Sequence, residues 1–542
     1  MHKIEKGSRH MTNKANIIIM LADDMGFSDI GCFGSEIRTP CLDTMAEKGI
    51  RYSHMYNNAR CCPSRASLLT GLYPHQAGIG LMMENLGVQE YQGYLNDRCI
   101  TLAEGVKAKG YQTGMIGKWH VGGGYAKTRE ALEKAGREGY PTPMQRGFDY
   151  FYGTLEGAGN YYNPVTLMEN GKWIDIKPED DFYYTEKIGE KACRTLERFA
   201  EDEKPFFLYV SFNAPHWPLH AREQDIASYE GKYMSGWDEI RKSRYRKQVE
   251  MGIVKDIWNI SPRDSGALAW DDVPDKKWED IKMAVYAAQV EEMDRAVSRI
   301  QSKLEQLGLA DDTFVLFTSD NGACAEELPQ DGWILQYASE KTLDGKPIEV
   351  GNNTRRRPGR EDTYMSYGLP WANASNTPFR LFKHWIQEGG IAAPCVVSWG
   401  KHIENPGRIV DTPIHFVDIM PTVLELAEAE YPDSRNGKTI YPPAGESFLP
   451  SLWTEWKREK PIFWEHEGNC GVRIGKYKLV RCYPEDFALY DMETDRTELT
   501  DISEQFPEIR RQMMQAYAEW AKDTGVRDWQ EILEIIKKKN AK

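Results

Sequence analysis

The sequence contains no apolar run long enough to form a membrane-spanning helix. Such a helix needs ~20 predominantly apolar residues, whereas the clearest run, NIIIMLA at residues 16–22, is followed at once by Asp23 and Asp24. The opening segment MHKIEKGSRHM lacks the apolar core of an export signal. We therefore expect a soluble chain without a membrane span, in which residues 1–13 are a cloning remnant. The protein is periplasmic or secreted if a native export signal was removed, and cytoplasmic otherwise.

Positive charge and patterned cysteine are also scarce. The 542 residues include 68 Lys and Arg against 82 Asp and Glu, which gives a net charge of −14. This balance argues against broad electrostatic attraction to nucleic acid, so any anionic ligand must be held by local cations. The 10 cysteines follow no framework spacing and predict reduced thiols rather than a disulfide scaffold.

What the chain does contain is a series of short apolar runs that end in polar residues. Besides NIIIMLA, these runs are YQTGMIG, PFFLYVSF and TFVLFTS, at residues 111–117, 205–212 and 313–319. Continuous apolar runs of this length are typical of buried parallel strands. Helical patterns, the longest at residues 283–307, lie between them. The alternation predicts an α/β fold with a large, mixed, mostly parallel sheet that is doubly wound and flanked by helices on both faces.

The pattern changes after about residue 440, where short alternating runs are separated by Gly and Asp turns and followed by an amphipathic helix. We predict a large domain at residues 14–440 and a smaller C-terminal α+β domain, an antiparallel sheet plus a helix, at residues 441–542. Residues 221–277 and 325–372 look like insertions. The run NNTRRRPGRED in the second one is interpreted as a solvated loop.

Polar residues that are unusual in a sheet follow four of the predicted strands. In doubly wound sheets, ligands bind outside the carboxyl ends of the strands. Helix capping could explain any one of these placements, but four sets at strand ends favour a binding site. The sets are Asp23 with Asp24, Lys118 with His120, His216 alone, and Asp320 with Asn321.

The acidic sets offer only oxygen donors. Asp23, Asp24, Asp320 and Asn321 together suit a hard divalent cation, Ca²⁺ before Mg²⁺, whereas zinc prefers His or Cys. A metal, local cations and two imidazoles suit the transfer of an anionic group, either phosphoryl or sulfuryl. The candidate cations are Arg65, Lys118 and Lys383, and the candidate imidazoles are His120 and His216.

Two adjacent cysteines open the stretch CCPSRASLLTG at residues 61–71. A vicinal pair cannot easily close an unstrained disulfide, and no further Cys or His follows at zinc-site spacing. The residues alone therefore leave open a buried thiol at a helix start, with Pro63 and Ser64 as the N-terminal signal.

The same stretch resembles the signature of the type I, formylglycine-dependent sulfatases, C-x-P-S-R followed by an apolar turn and T-G. The blocks GKWH, NAPH, SDNG and residues 372–394 resemble the other blocks of that family in the same order. The resemblance runs from about residue 14 into the C-terminal domain and is closest to the bacterial arylsulfatase-like branch. It implies an alkaline-phosphatase-like fold and a sulfuric ester hydrolase.

The resemblance also implies roles for the candidate residues. A maturase, acting as a transient partner, would oxidise Cys61 to formylglycine, and the hydrate would ligate Ca²⁺ and attack sulfur. His120 would later remove a proton from this group so that sulfate leaves. The other implied roles are deprotonation by Asp320, support of the nucleophile by Arg65, charge stabilisation by Lys118 and Lys383, and leaving-group protonation by His216. The implied metal ligands are Asp23, Asp24, Cys61, Asp320 and Asn321.

The resemblance implies a sulfated carbohydrate as substrate, with aryl sulfates as surrogates. The candidate substrate-binding residues are Trp217, His220 and His466, beside Asn160 and Tyr161, and each could equally be a packing residue. Two alternatives stay open. One is a phosphate or phosphonate monoester hydrolase of the same superfamily, and the other is a glycan-binding relative whose Cys61 is not matured.

Overall fold

The structure is a computed structural model that describes residues 14–125 and 132–541. The predicted cloning remnant at residues 1–13 lies outside the described residues. The strands are β1 (Asn16–Ala22), β2 (Ile50–Tyr56), β3 (Gln112–Gly117), β4 (Tyr150–Thr154), β5 (Leu167–Glu169), β6 (Lys172–Trp173), β7 (Phe206–Ser211), β8 (Thr313–Ser319), β9 (Glu349–Val350), β10 (Thr363–Tyr364), β11 (Ala392–Ser398), β12 (Ile409–Val410), β13 (Ile414–His415), β14 (Ser434–Arg435), β15 (Lys438–Thr439), β16 (Ile462–His466), β17 (Asn469–Ile474), β18 (Tyr477–Arg481) and β19 (Ala488–Asp491).

Helices lie between most of these strands and after the last of them. The α-helices are α1 (Pro40–Lys48), α2 (Cys61–Thr70), α3 (Pro74–Ala77), α4 (Leu102–Lys107), α5 (Tyr184–Ala200), α6 (Glu223–Ala227), α7 (Gly236–Glu250), α8 (Lys276–Gln306), α9 (Gly368–Ser375), α10 (Glu388–Ile391), α11 (Ile419–Leu426), α12 (Pro507–Thr524) and α13 (Trp529–Asn540). Helix α8 begins at Lys276, earlier than the predicted residue 283, because the Asp275 side chain caps it by accepting from the Trp278 N–H.

A large mixed sheet forms the centre of the molecule. Its strands follow the order β12-β2-β11-β8-β1-β7-β3-β4-β5-β6, and β13 also pairs with β2. Strand β1 runs parallel to both β7 and β8, and β3 runs parallel to β7 and β4. The antiparallel exceptions are β11, which lies between β2 and β8, and the edge strands β5 and β6. The predicted mostly parallel, mixed sheet is confirmed.

Both faces of this sheet are covered by helices. Alternate residues of β1 point into two separate hydrophobic cores, with Ile18 and Met20 in one and Ile17 and Ile19 in the other. Helices α5 and α8 contribute to the first core, and α2, α4 and α11 contribute to the second. A strand that is buried on both faces needs apolar residues at every position, which explains the continuous run NIIIMLA.

A smaller antiparallel sheet follows in the C-terminal part of the chain. Strands β16, β17, β18 and β19 pair in that order, and α12 packs against β17 and β18. This confirms the predicted sheet plus helix, while α13 is a further helix that the sequence did not predict. The division between residues 440 and 441 stays a prediction. None of the helices in the described residues is long and apolar enough to cross a membrane.

The two predicted insertions contain local structure. Residues 221–277 include α6 and α7, and residues 325–372 include β9 and β10. The arginine run in the second segment is more than a solvated loop, because Arg357 lies 2.8 Å from Glu223 and Arg356 lies 3.1 Å from Asp362.

Candidate active site

The carboxyl ends of four neighbouring strands meet at one edge of the large sheet. The register pairs Ser319 of β8 with Ala22 of β1, and Ser211 of β7 with both Leu21 of β1 and Gly117 of β3. The residues that follow these strands therefore leave the sheet side by side. All members of the four polar sets are buried, and contacts such as Lys118 with Asp23, Asn321 with Asp24, and His216 with Asp24 bring the sets together: Asp23, Asp24, Lys118, His120, His216, Asp320 and Asn321.

Helix α2 brings Cys61 and Arg65 to the same edge. Cys61 is the first residue of this helix, and Arg65 shares its face because the two residues are four positions apart. Arg65 Nε donates to Asp320 Oδ2 at 2.9 Å, and Nη1 donates to the Lys118 carbonyl at 3.1 Å. Burial would lower the pKa of Arg65, but the neighbouring groups, Asp320 foremost and Asp23 among them, together outweigh burial and raise it. The guanidinium is therefore a fixed positive charge beside the Cys61 side chain.

Cations and an amide hold the two aspartates that follow β1. Lys118 Nζ donates to Asp23 Oδ2 at 2.6 Å, and Lys383 Nζ donates to Asp24 Oδ2 at 2.8 Å. Asn321 Nδ2 donates to the other oxygen of Asp24 at 2.7 Å. Asp24 has a φ of 62°, a left-handed conformation that Asp tolerates better than most residues. The turn after β1 thus points two successive carboxylates toward one centre.

Two oxygen atoms of this centre are left over. Asp23 Oδ1 and Asn321 Oδ1 are buried and accept no hydrogen bond within the described part of the chain. Burial raises the pKa of Asp23 well above its ordinary value, against the opposing effect of Lys118. Because buried acceptors are normally satisfied, these two oxygens are available to a ligand, although Asp23 Oδ1 also lies 3.6 Å from Arg65 Nη2. Together with the carboxylates of Asp24 and Asp320, they form an oxygen-only donor set that fits a hard divalent ion.

The Cys61 thiol lies beside a neutral imidazole. A hydrogen bond with Cys62 lowers the pKa of Cys61 well below its ordinary value, and Lys118 and His120 add to this effect against burial. Burial lowers the pKa of His120 to about 4, and its Nδ1 has no partner among the described residues. Gly157 makes room for this ring, since a Cβ there would lie 2.3 Å from His120. His120 can therefore accept a proton near position 61 at neutral pH.

Lys383 connects Asp24 to the second imidazole. His216 Nδ1 donates to the Trp217 carbonyl at 2.7 Å, so its Nε2 carries the lone pair and faces Lys383 Nζ at 3.3 Å. Burial lowers the pKa of His216 to about 3. Burial would also lower the pKa of Lys383, but Asp24, Cys324 and Glu326 together outweigh burial and raise it. The pair thus holds one proton on the lysine and one on the far nitrogen of the histidine.

Two of the candidate substrate-binding residues lie near the site, but their polar atoms form hydrogen bonds within the protein. Trp217 is mostly buried, and its Nε1 donates to Glu326 at 2.8 Å. His220 is fully buried, its Nε2 donates to the Thr363 carbonyl at 2.6 Å, and its Nδ1 accepts from the Tyr161 N–H at 3.4 Å. Both ring nitrogens of His220 therefore bind backbone groups, which leaves none for a substrate.

His466 is placed differently. Its ring is fully buried, and neither nitrogen has a hydrogen-bond partner in the described residues. Its Nε2 lies 3.6 Å from Glu467, which also lies 3.1 Å from Nδ1 of His384. His466 is therefore a buried member of a polar cluster with Glu467 and His384 rather than an exposed residue. Its predicted role in substrate binding stays a prediction.

A cleft of about 930 Å³ opens onto His120. Sequence reasoning missed several residues that line it: Arg60, Tyr125, Glu156, Gln336, Tyr337 and Lys539. Arg60 directly precedes the Cys pair, where the sequence already predicted a site, whereas Glu156 follows β4, a strand that the sequence did not predict. Burial raises the pKa of Glu156 to about 7. Lys539 carried no signal, because only the packing of α13 brings the end of the chain to the cleft.

Comparison with known proteins agrees with this geometry. The sequence pattern of the sulfatase family matches residues 15–429, and that of the N-sulphoglucosamine sulphohydrolase C-terminal region matches residues 379–523. The chain belongs to the sulfatase family. This sulfatase is 32% identical to an uncharacterized sulfatase of Schizosaccharomyces pombe, with 95% of each chain covered. It is 31% identical to the arylsulfatase of Klebsiella aerogenes, over 80% of this chain and 91% of that one.

Solved structures share the fold of the sulfatase. Ps i-CgsB in complex with k-i-k-neocarrahexaose is 22% identical, with a TM-score of 0.63 and 94% of both chains covered. A protein in complex with its substrate D-glucosamine-2-N,6-O-disulfate is 21% identical, with a TM-score of 0.58 and coverage of 95% and 99%. The phosphonate monoester hydrolase of Agrobacterium radiobacter is 18% identical, with a TM-score of 0.56 and coverage of 94% and 95%. These likenesses confirm the alkaline-phosphatase-like fold, while the family membership makes the protein a sulfuric ester hydrolase.

Proposed function

We propose that this sulfatase removes sulfate from a sulfated carbohydrate, with a nucleophile derived from Cys61 and a bound calcium ion. The observation that carries the proposal is the position of Cys61. Cys61 is the first residue of helix α2, at the edge where four strand ends supply three carboxylates, one lysine and two imidazoles. Lys383, from the segment that follows α9, adds a second lysine. Aryl sulfates are the surrogate substrates. The structures solved with a neocarrahexaose and with a glucosamine disulfate support a carbohydrate.

The oxygen donors fit Ca²⁺ better than a transition metal. Asp23, Asp24, Asp320 and Asn321 would hold the ion, together with an oxygen at position 61 after maturation. The bound ion would neutralise negative charge on the sulfate oxygens. The two unpartnered buried oxygens, on Asp23 and Asn321, support this assignment.

Residues of the chain itself would activate the nucleophile and release the sulfate. Formylglycine at position 61, as its hydrate, would supply a hydroxyl nucleophile and a second hydroxyl for release of sulfate. Asp320, held by Arg65 at 2.9 Å, is placed to take the proton of the first hydroxyl. His120 is neutral because burial lowers its pKa to about 4, so it can take the proton of the second.

On the other side, the Lys383 and His216 pair faces the leaving group. The lysine Nζ lies 3.3 Å from His216 Nε2 and 2.8 Å from Asp24, so it stays charged next to the imidazole lone pair. A leaving alcohol can therefore receive a proton from this pair, and Lys118 and Lys383 counter the negative charge that develops on the sulfate oxygens.

The experiment is mass spectrometry of the peptide that spans residues 57–72, with aldehyde trapping, beside hydrolysis of a chromogenic aryl sulfate in calcium. An aldehyde at position 61 with sulfate release is the expected result. Hydrolysis of phenyl phosphonate in preference to aryl sulfate would instead favour the monoester hydrolase alternative. If Cys61 is unmodified and the protein is inactive, co-expression with a formylglycine-generating maturase should produce both the aldehyde and the activity. Failure of co-expression to produce them would overturn the proposal.

A further inference from the structure

A second groove adjoins the active-site cleft. It has a volume of about 590 Å³, and it shares Gln92, Tyr94, Glu138 and Gly139 with the lining of the cleft. These shared residues form the boundary between the two spaces. A ligand longer than one sugar could therefore extend from the cleft into the groove without crossing another part of the surface.

The groove is basic although the protein is acidic. The chain carries a net charge of −14, yet Arg98, Arg137, Arg435 and Lys438 line the groove with only two carboxylates, those of Asp97 and Glu138. The groove also contains a buried arginine, Arg146, which donates to the backbone carbonyls of Leu95 and Cys99 and pairs with Glu104 at 3.4 Å, so the charge available to a ligand comes from the other cations. A local excess of positive charge on an acidic protein indicates that the groove binds anions.

Two of these arginines have charge to offer a ligand. The guanidinium carbon of Arg98 lies 4.1 Å from the centre of the Tyr441 ring, and Arg98 forms no ion pair within the described part of the chain. Arg137 lies 3.9 Å from Glu133, and both side chains are 69% exposed. Because such an exposed ion pair contributes little free energy, Arg137 can exchange Glu133 for a ligand anion. The contact with the Tyr441 ring uses none of the N–H donors of Arg98.

The opposite wall of the groove is a fixed hairpin. Strands β14 and β15 are joined by Asn436 and Gly437, whose φ angles of 50° and 77° match a tight two-residue turn. Arg435 donates to Glu104 at 2.8 Å, and Lys438 donates to Asp97 at 2.9 Å. These bonds hold the hairpin against the body of the protein, so the groove exists before a ligand arrives.

We infer that this groove binds a second anionic group, a sulfate or a carboxylate, on an oligosaccharide whose reacting sulfate ester lies in the cleft. The inference rests on the proposed function. The amide side chains of Gln89, Gln92 and Asn436 also line the groove and suit sugar hydroxyl groups. The substrate class is therefore an oligosaccharide with at least two anionic groups rather than a monosulfated sugar or a small aryl ester.

The test compares the double variant Arg98→Gln/Arg137→Gln with the wild type and with a control, Arg246→Gln/Arg511→Gln. The control removes the same charge from exposed positions on α7 and α12 that do not line the groove. Hydrolysis of 4-nitrophenyl sulfate is measured in the presence of dextran sulfate, of neutral dextran and of inorganic sulfate. The variant should need about tenfold more dextran sulfate for half inhibition, with unchanged hydrolysis of the aryl ester alone and unchanged inhibition by inorganic sulfate.

Equal inhibition of the groove variant and the control by dextran sulfate would overturn the inference. Binding of dextran sulfate is also measured directly by titration calorimetry, which needs no turnover. If none of the three proteins hydrolyses the aryl sulfate after co-expression with the maturase, the proposed function fails, and the calorimetric comparison still decides whether the groove binds a sulfated glycan. Weaker binding by the groove variant alone supports the inference in that case too.

Discussion

Two buried clusters of charge can be compared in this sulfatase. The first, which we term the strand-end cluster, consists of the charged and polar residues of the candidate active site: Asp23, Asp24, Arg65, Lys118, His120, His216, Asp320, Asn321 and Lys383. The second, which we term the junction cluster, lies between the large and small sheets. In the junction cluster, Glu388 accepts from Lys478 at 3.0 Å, from Arg496 at 2.8 Å and from the Tyr56 hydroxyl at 3.0 Å. Lys478 also lies 2.8 Å from Glu498. The guanidinium of Arg496 is 4.7 Å from the centre of the Phe379 ring, so an aromatic face covers it.

The two clusters differ in how their carboxylates are satisfied. Burial would raise the pKa of Glu388, but Lys478 and Arg496 outweigh it and lower the pKa. Burial raises the pKa of Asp23 well above its ordinary value, and Lys118 does not offset it. Both oxygens of Glu388 accept hydrogen bonds, whereas Asp23 Oδ1 accepts none from the described residues and lies 3.6 Å from Arg65 Nη2. The junction cluster also has an oxygen without a hydrogen bond, Glu498 Oε1, but Lys478 Nζ lies 2.8 Å from it. Burial of charge alone therefore does not indicate a catalytic site; the strand-end cluster is distinguished by three acids, several cations and two imidazoles at one edge of a sheet.

The largest expected effect is on position 61 of the strand-end cluster. Cys61→Ala should lower kcat for an aryl sulfate by at least about a thousandfold, because it removes the atom that becomes the nucleophile. Cys62→Ala is the matched control and should retain most of the activity, since Cys62 packs into the core. The measurement compares initial rates of aryl sulfate hydrolysis for the wild type and the two variants, after their thermal stabilities are shown to be equal. An active Cys61→Ala variant would contradict the proposed mechanism.

The second largest effect is on the free energy of unfolding, which should differ between variants of the two clusters. Glu388→Gln should lower the free energy of unfolding by about 3–5 kcal/mol, because it leaves Lys478 and Arg496 buried with less negative charge. Without added calcium, Asp320→Asn should lower it less, since burial raises the pKa of Asp320 and the ionised form therefore costs stability in the folded state at neutral pH, which offsets the loss of its contact with Arg65. Its turnover should nevertheless fall by at least about a hundredfold. Urea denaturation and initial rates test both variants, and equal destabilisation by the two would remove the distinction.

The third effect concerns the leaving group. His216→Ala should lower kcat/KM about a hundredfold for a sugar sulfate and about tenfold for an aryl sulfate, because a phenol leaves with less need of a proton. Lys383 remains in place in this variant and keeps part of the positive charge. Values of kcat/KM for a series of aryl sulfates measure how the loss in the variant depends on the pKa of the leaving group. Equal losses across the series would show that His216 takes no part in protonation of the leaving group.

The smallest effect is that of calcium on unfolding. At ten times its Kd, Ca²⁺ should stabilise the wild type by about 1.4 kcal/mol, because it binds only the folded protein. Asp23→Asn should lose this stabilisation, since it alters the donor set of the strand-end cluster. Glu388→Gln should keep it, although its overall stability is lower. Thermal unfolding with calcium and with a chelator measures the shift, and a calcium effect that survives in Asp23→Asn would place the ion elsewhere.

Local sequence was sufficient to predict the strands that carry the site. The run NIIIMLA predicts β1 at residues 16–22, and the polar residues that follow each apolar run identify the strand ends, because a strand buried on both faces has a recognisable composition. Sequence also identified Cys61, Arg65 and Lys383, since the resemblance to the family rests on residues close together in the chain. These features depend on what a short segment must bury or display.

The tertiary structure decided which residues meet. The strand order β8-β1-β7-β3 makes four distant segments share one edge, and no short segment contains that order. Packing also turned His220 toward backbone groups, brought Lys539 to the cleft and set the β14 and β15 hairpin beside Arg98 to form the basic groove. Contacts of this kind depend on register and packing between residues hundreds of positions apart, so local composition does not encode them.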